Sequence, residues 1–454
     1  DADLVWLKVY GTASVATPNW LNLYALIASG TLTTNTNVLT SDTANDSTVN
    51  FNQSFDGVYS KVMTGMGNLV KSGAGKLTLS GVNTYSGTTT VNAGTLEYGV
   101  NDALASGAVS VDGPTATMNI ATFTDTVGTV TVANGGAITG TTGVLTSTGT
   151  FEMQNGSVSA ILDGAVALNK TTGGAVTLSG NNTYSGPTTI TAGTLAYGRS
   201  VSSASAHTNN SILDLGANTL TLTGVNAYTQ NAGATLDLTI SGAGTCGNIV
   251  VGGATTVNAA SKVYVKVPSG VSIASGTPFT IITTSGLGDA VALPTAASGN
   301  RRYAFTASVD AGGDLILTSS EGSFAAPSGA TGNEAAVGNI LTGIMGSGGD
   351  MSSVLDDLGG LSDQEYNNSL GTMTPDVSSG TAEGSRTLTG NSFAMVSNRL
   401  GGARSGFAGT GISSGEMLNG VGVWMQGLGN HLKQDMRKGI EGFSANTWGT
   451  TIGA

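Results

Sequence analysis

Residues 75–99 read GKLTLSGVNTYSGTTTVNAGTLEYG and residues 174–198 read GAVTLSGNNTYSGPTTITAGTLAYG, and the two stretches agree at 18 of 25 positions. Such internal repetition is the mark of an architecture in which similar units stack on one another. Each copy opens on a short alternating run, Leu77 and Leu79 or Val176 and Leu178. It then enters a polar turn, Asn83-Thr84-Tyr85-Ser86-Gly87 or Asn182-Thr183-Tyr184-Ser185-Gly186. A β-branched run follows, Thr89-Thr90-Val91 or Thr188-Thr189-Ile190, and Ala-Gly-Thr-Leu closes the unit. Period-two alternation broken by turn residues is a strand pattern, so each copy reads as roughly one coil of short strands. Leu79 and Leu178 are expected to point inward, and Tyr85 and Tyr184 to occupy like surroundings.

The rest of the composition agrees. Glycine is 70 of 454 residues, proline 8, and charged residues 10%. A disordered Gly/Ser chain would lack the alternating Val, Leu and Ile that run through residues 69–317, so a folded all-β chain is expected. At roughly 20 residues per coil, residues 31–320 would make about 14 coils, a rod of about 65–70 Å at the usual strand spacing. A net charge of -12 and a pI near 4.4 offer no basic stripe to displace counterions from phosphates, which excludes nucleic acid as a partner and disfavours anionic headgroups. The lone Cys246 cannot form an internal disulfide. No apolar run approaches the ~18 residues of a transmembrane helix, and Asp1-Ala2-Asp3-Leu4 does not read as a signal peptide, so one was removed or never included.

Along the chain, residues 1–30 hold Trp6, Trp20 and the apolar cluster Leu21 to Ile27, which suits a cover for the open first coil better than a carbohydrate-binding platform. Residues 205–320 are denser in apolar runs, among them Ile249-Val250-Val251, Phe279-Thr280-Ile281-Ile282 and Leu315-Ile316-Leu317. That density predicts the most stable part of the rod. After Glu321 the chain turns Gly-, Ala- and Ser-rich, and helix signals appear: Asp350 ahead of Met351, Val354, Leu355 and Leu358, and Ser362 ahead of Glu365 as a capping box. A further helix is expected over 385–400, with Leu388, Phe393, Val396 and Leu400 on it and arginines at 386, 399 and 404.

Two motifs carry a family resemblance. Lys71 to Leu96, KSGAGKLTLSGVNTYSGTTTVNAGTL, resembles the passenger-associated transport repeat of bacterial autotransporters, the type V secretion family. The segments Gly422 to Gly429 (GVWMQGLG) and Gly442 to Gly449 (GFSANTWG) resemble the opening strands of the same family's β-barrel translocator. The stretch from Trp20 to Thr48-Val49-Asn50-Phe51 resembles the lead-in to such repeats. The resemblance implies a right-handed parallel β-helix with a C-terminal helical linker and the first strands of an outer-membrane β-barrel. On it, residues 1–30 form an N-terminal cap, and 31–204 a β-helix passenger with repeats at 75–99 and 174–198. Residues 205–320 form a stable C-terminal β-helix of autochaperone type, 321–415 a linker with helices, and 416–454 an incomplete barrel. The chain stops about two strands in, which cannot close a barrel in lipid. The helix within 385–400 is then the segment that would lie in the pore. The resemblance places the protein at the bacterial outer membrane, on the cell surface or outside the cell.

Residues that could support chemistry are few. Gly411-Ile412-Ser413-Ser414-Gly415 fits G-x-S-x-G, a pattern expected by chance in so Gly- and Ser-rich a chain and without the strand-turn-helix context it needs. The histidines are His207 and His431, too distant for a zinc site with a single cysteine, and a serine triad would have to use His207. Asp42 with Asp46 reads as loop solvation, and Asp356 with Asp357 as a solvated helix face, ahead of calcium binding or acid/base catalysis. No catalytic, cofactor-binding or metal-binding residue is assigned, and no cofactor. The expected function is a non-enzymatic surface rod, an adhesin, self-association module or spacer. Its partners would be a host or neighbouring cell surface or its own copies, with the outer membrane engaged through the barrel. The rival is a β-helix enzyme acting on polysaccharide, which would need acidic and basic side chains converging on one coil face.

Overall fold

A computed structural model describes residues 30–286, 289–345 and 350–374 continuously, with 7–8, 11–14, 25–27, 386, 389–390, 393–394, 396–397, 417–418, 421–422, 424–435 and 443–453. Trp6, Trp20, Leu388, Leu400, Arg399, Arg404 and the G-x-S-x-G stretch lie outside the described residues. The chain divides into two compact units, residues 1–323 with 347–360, and residues 324–346 with 361–454.

The first unit is a parallel β-solenoid. Its two long sheets hold 14 and 13 strands among the described residues, and smaller sheets complete the turns. Register partners run Thr31 to Thr48 and on to Asn68, then from Leu69 through Thr89, Val109, Val130, Phe151, Leu168, Thr188 and His207 to Tyr228. Ten successive turns therefore take 17–21 residues each. At about 4.8 Å per turn this regular part advances about 48 Å. The spacing expected for the whole of 31–320 does not hold beyond it: Tyr228 partners Thr255, 27 residues on, and Thr256 partners Ala290, 34 residues on. The solenoid then closes on antiparallel strands, Pro278–Thr283 and Tyr303–Val309 both pairing with Leu315–Glu321. The turn between the last two strands is built by Asp310, whose Oδ1 accepts from the backbone N–H of Gly312 and Asp314, with Gly313 at φ +93°. An antiparallel hairpin ends a parallel stack without adding another long crossover.

Strand after strand alternates inward and outward, as in Lys76–Leu79 and Ala175–Leu178. Leu79 and Leu178 have no exposed surface, as their alternation predicts. Tyr85 and Tyr184 are both buried, and each hydroxyl bonds the Thr four residues on, Thr89 at 2.5 Å and Thr188 at 2.8 Å. Burying one such aliphatic side chain is worth about 1.5–3 kcal/mol, and the cluster runs continuously from Leu32 to Leu317. Helix α1 (Gly332–Gly343) belongs to the second unit, while helix α2 (Asp350–Gly359) belongs to the solenoid unit. α2 begins at Asp350 as expected and buries Leu355 and Leu358. Asp356 is not on a solvated face: its Oδ1 accepts from Arg302 Nη1 at 2.6 Å, because the fold carries Arg302 from the closing hairpin to this helix.

In the second unit, α1 and helix α3 (Asp363–Met373) each start with a capping box, Thr331 with Glu334 and Ser362 with Glu365. Phe324 packs against Tyr366 at 6.0 Å between ring centroids. The described residues among 386–397 are helical, with Phe393 exposed. Trp424–Gln434 pairs antiparallel with Phe443–Gly453.

Candidate functional surface

Parallel strands in register turn each outward position into a column of side chains about 4.8 Å apart. On the 14-stranded sheet one outward column runs Thr90, Ser110, Thr131, Glu152, Asn169, Thr189, Thr208, Thr229 and Thr256. Eight of these nine side chains end in a hydroxyl or an amide. The single carboxylate, Glu152, accepts from Asn169 Nδ2 at 2.8 Å. β-branched threonine suits a strand and holds its hydroxyl stiffly at χ1, so the column is a rigid, nearly uncharged rank of donors and acceptors in a strongly acidic chain.

The 13-stranded sheet faces outward differently. Near its start Lys76 Nζ meets Glu97 Oε1 at 2.9 Å, and Glu97 Oε2 accepts from Asn119 Nδ2 at 3.1 Å. Near its end Asp214 and Asp237 are register partners, and Lys266 Nζ bridges their carboxylates at 2.9 and 3.4 Å. Burial raises the Asp237 carboxyl above its ordinary range against the pull of Lys266. Burial works against the charge of Lys266, but its bonds to the two aspartates hold the ammonium above its usual value. This convergence of acids and a base was not anticipated from the sequence, where the three residues are 23 and 29 positions apart. The alternation Leu213-Asp214-Leu215 and Leu236-Asp237-Leu238 was the available signal.

Of the other chemistry-bearing residues, His207, Asp42 and Asp46 are bonded within the solenoid. His207 points inward with 2% exposure, its Nε2 2.6 Å from Tyr197 Oη and its Nδ1 3.0 Å from the Ser205 carbonyl. Burial pushes its imidazole down to about 4. Ser205 Oγ bonds Thr188 Oγ1 at 2.9 Å, so Tyr184, Thr188 and Ser205 form an interior chain closed to substrate. His431 is exposed on the C-terminal hairpin beside Asn446 Oδ1 at 2.6 Å. Asp42 and Asp46 accept from the backbone N–H of Val62 and Met66, one turn on, at 2.9 and 3.0 Å. The Cys246 thiol is pushed up to about 12 by burial. Among the described residues no group of three or more His, Cys, Asp or Glu could hold a metal ion, and none of the described helices is long and apolar enough to cross a membrane.

Residues 69–97 and 168–196 each match the Passenger-associated-transport-repeat family. Both matches begin six residues before the repeats as first aligned and so take in Lys71 and Lys170. No curated protein matches the chain. Two such repeats in a parallel β-solenoid fit the passenger of an autotransporter, and passengers of this kind are surface-exposed β-helices.

Proposed function

We propose that this chain is a passenger displayed at the bacterial outer membrane, acting without catalysis as an adhesin, self-association module or spacer, and exported through a barrel that the strands at 424–434 and 443–453 begin. The observation that carries the reading is the hydroxyl and amide column on the 14-stranded sheet. Its groups are fixed at one spacing, and its low charge spares a partner the desolvation of ions. The partner is a host or neighbouring cell surface, or a second copy of the same face. The test is display of the chain, joined to a complete barrel, on cells that do not otherwise aggregate or adhere. The triple variant T189K/T208K/T229K should abolish clumping or adhesion while surface protease accessibility shows export unchanged. Undiminished clumping in that variant would refute the assignment of this face.

One observation favours a second reading, an enzyme acting on polysaccharide: Lys266, in register with Thr239, reaches the carboxylates of the outward register partners Asp214 and Asp237. Release of reducing ends or unsaturated sugars by the purified chain, lost in D214N/D237N, would establish it.

A further inference from the structure

The interior of the solenoid contains two lysines that no part of the functional reading uses. Lys71 and Lys170 occupy the same position in the two repeats, 99 residues apart, and neither has exposed surface. They lie on one inward column of the 14-stranded sheet. Lys71 sits between Phe51 and Val91 in register, and Lys170 between Met153 and Ile190. Their partners are carbonyls. Lys71 Nζ donates to the carbonyl of Gly73 in its own turn and to that of Ala93 in the next, the latter at 3.1 Å. Lys170 Nζ does the same with Thr172 and with Ala192, the latter at 2.9 Å.

The corner they reach into has no room to shift. Gly94 follows Ala93 at φ +67°, and a Cβ on it would stand 2.3 Å from the Gly73 carbonyl oxygen. Gly193 follows Ala192 at φ +69°, with its Cβ position 2.4 Å from the Thr172 oxygen. Further along the same column uncharged side chains repeat the contact: Asn209 Nδ2 reaches the Thr235 carbonyl and Gln230 Nε2 the Lys262 carbonyl, each at 2.9 Å.

We propose that Lys71 and Lys170 are register clamps, which fix from inside the coil which residue of the following turn lies against which residue of their own. The need for them follows from the alternation. A one-residue slip would turn every apolar side chain outward and is forbidden by burial, but a two-residue slip restores the alternation. Strands as short as Thr89–Val91, flanked by Thr88 and Asn92, do little to resist it. A donor that must find one carbonyl of the next turn does resist it. A dry amine without that carbonyl costs the desolvation of a polar group, whereas an apolar side chain at the same place is indifferent. Burial pushes the Lys71 amine down to about 8, and Lys170 is lowered for the same reason. A neutral amine retains two N–H donors for the two carbonyls, so the clamp holds in either protonation state.

The test is cysteine pairing across the turn in the full chain, with Cys246→Ser removing the natural thiol. Val70 and Thr90 face outward as register partners, so V70C/T90C reports native register, and V70C/T88C or V70C/N92C reports a slip of two. The parent chain should oxidise at the first pair alone. With K71M added, the native cross-link should fall at least about twofold and a slipped pair should form; native cross-linking alone in K71M overturns the proposal. Should K71M not fold, K71Q serves, since Gln230 shows that this side chain reaches: native cross-linking in K71Q supports the clamp, and slipped cross-linking in it overturns it. N169C/T189C reads Lys170 in the same way.

Discussion

Two buried groups should make the stability of the solenoid respond to acidification in opposite directions. The groups responsible are Asp125 and His207, 3% and 2% exposed. Burial raises the Asp125 carboxyl from its ordinary 3.8 to about 6, against bonds from the Leu104 and Thr126 backbone and the Tyr98 hydroxyl. Its folded state therefore binds the proton more tightly than the unfolded chain. The stability linked to it is fully present below pH 3.8 and is lost as pH rises through 6. His207 has the opposite sign: its folded value of about 4 lies below the ordinary 6.5, so stability is lost as pH falls from 6.5 through 4. At about 1.4 kcal/mol per unit, shifts of roughly two units each give about 3 kcal/mol in either direction. Relative to the parent, D125N should then lose about 3 kcal/mol more between pH 7 and 4, and H207Q should gain about as much. Urea unfolding monitored across that range measures all three, and differences between the curves remove the titration of every shared group. Parallel curves for the three proteins would refute the assignment of these groups to the dry interior.

Two further outcomes test the packing. Leu79→Ala and Leu178→Ala should each cost about 2–5 kcal/mol in denaturant unfolding, and values below about 0.5 kcal/mol at both would mean that the apolar column does not face inward. Gly94→Ala places a methyl at φ +67° against the Gly73 carbonyl and should cost at least about 1–3 kcal/mol, whereas Gly173→Ala, with open space around it, should leave the thermal midpoint within a degree or two.

The coil was legible because period-two alternation and turn residues recur in the repeats. Leu79, Leu178 and the tyrosine pairs followed from it. The Ser362 capping box and the helix start at Asp350 were legible because caps are local, written in three or four adjacent residues. Strand direction was not. Tyr303–Val309 and Leu315–Glu321 alternate like any other strand, and only the tight Asp310 to Asp314 turn distinguishes a hairpin from a coil. Turn length after Tyr228 was hidden for a similar reason, since a loop such as 267–277 adds residues without disturbing the strands on either side. Asp356 looks like a solvated helix residue in the sequence because its partner Arg302 is 54 residues away. The outward threonines were visible as composition, but their alignment into one column depends on eight register choices that no single turn announces.

Those register choices explain why a core this apolar tolerates polar residues. Strand ladders use the backbone groups along each face, but a chain that bends every few residues leaves carbonyls at its corners facing the interior. A buried carbonyl without a partner costs about 1–3 kcal/mol. Gln53 bonds the carbonyls of Phe55 and Lys76, and Asn83 those of Gly81 and Ala103. With Lys71 and Lys170 this makes four side chains that each join a carbonyl of their own turn to one of the next. Along the faces alternation alone places a β-branched or small residue, whereas the Lys71 and Lys170 corners each set a donor of a particular length opposite a glycine with positive φ, Gly94 or Gly193. In a stack of nearly identical turns, the interior corners are thus where the sequence distinguishes one register from another.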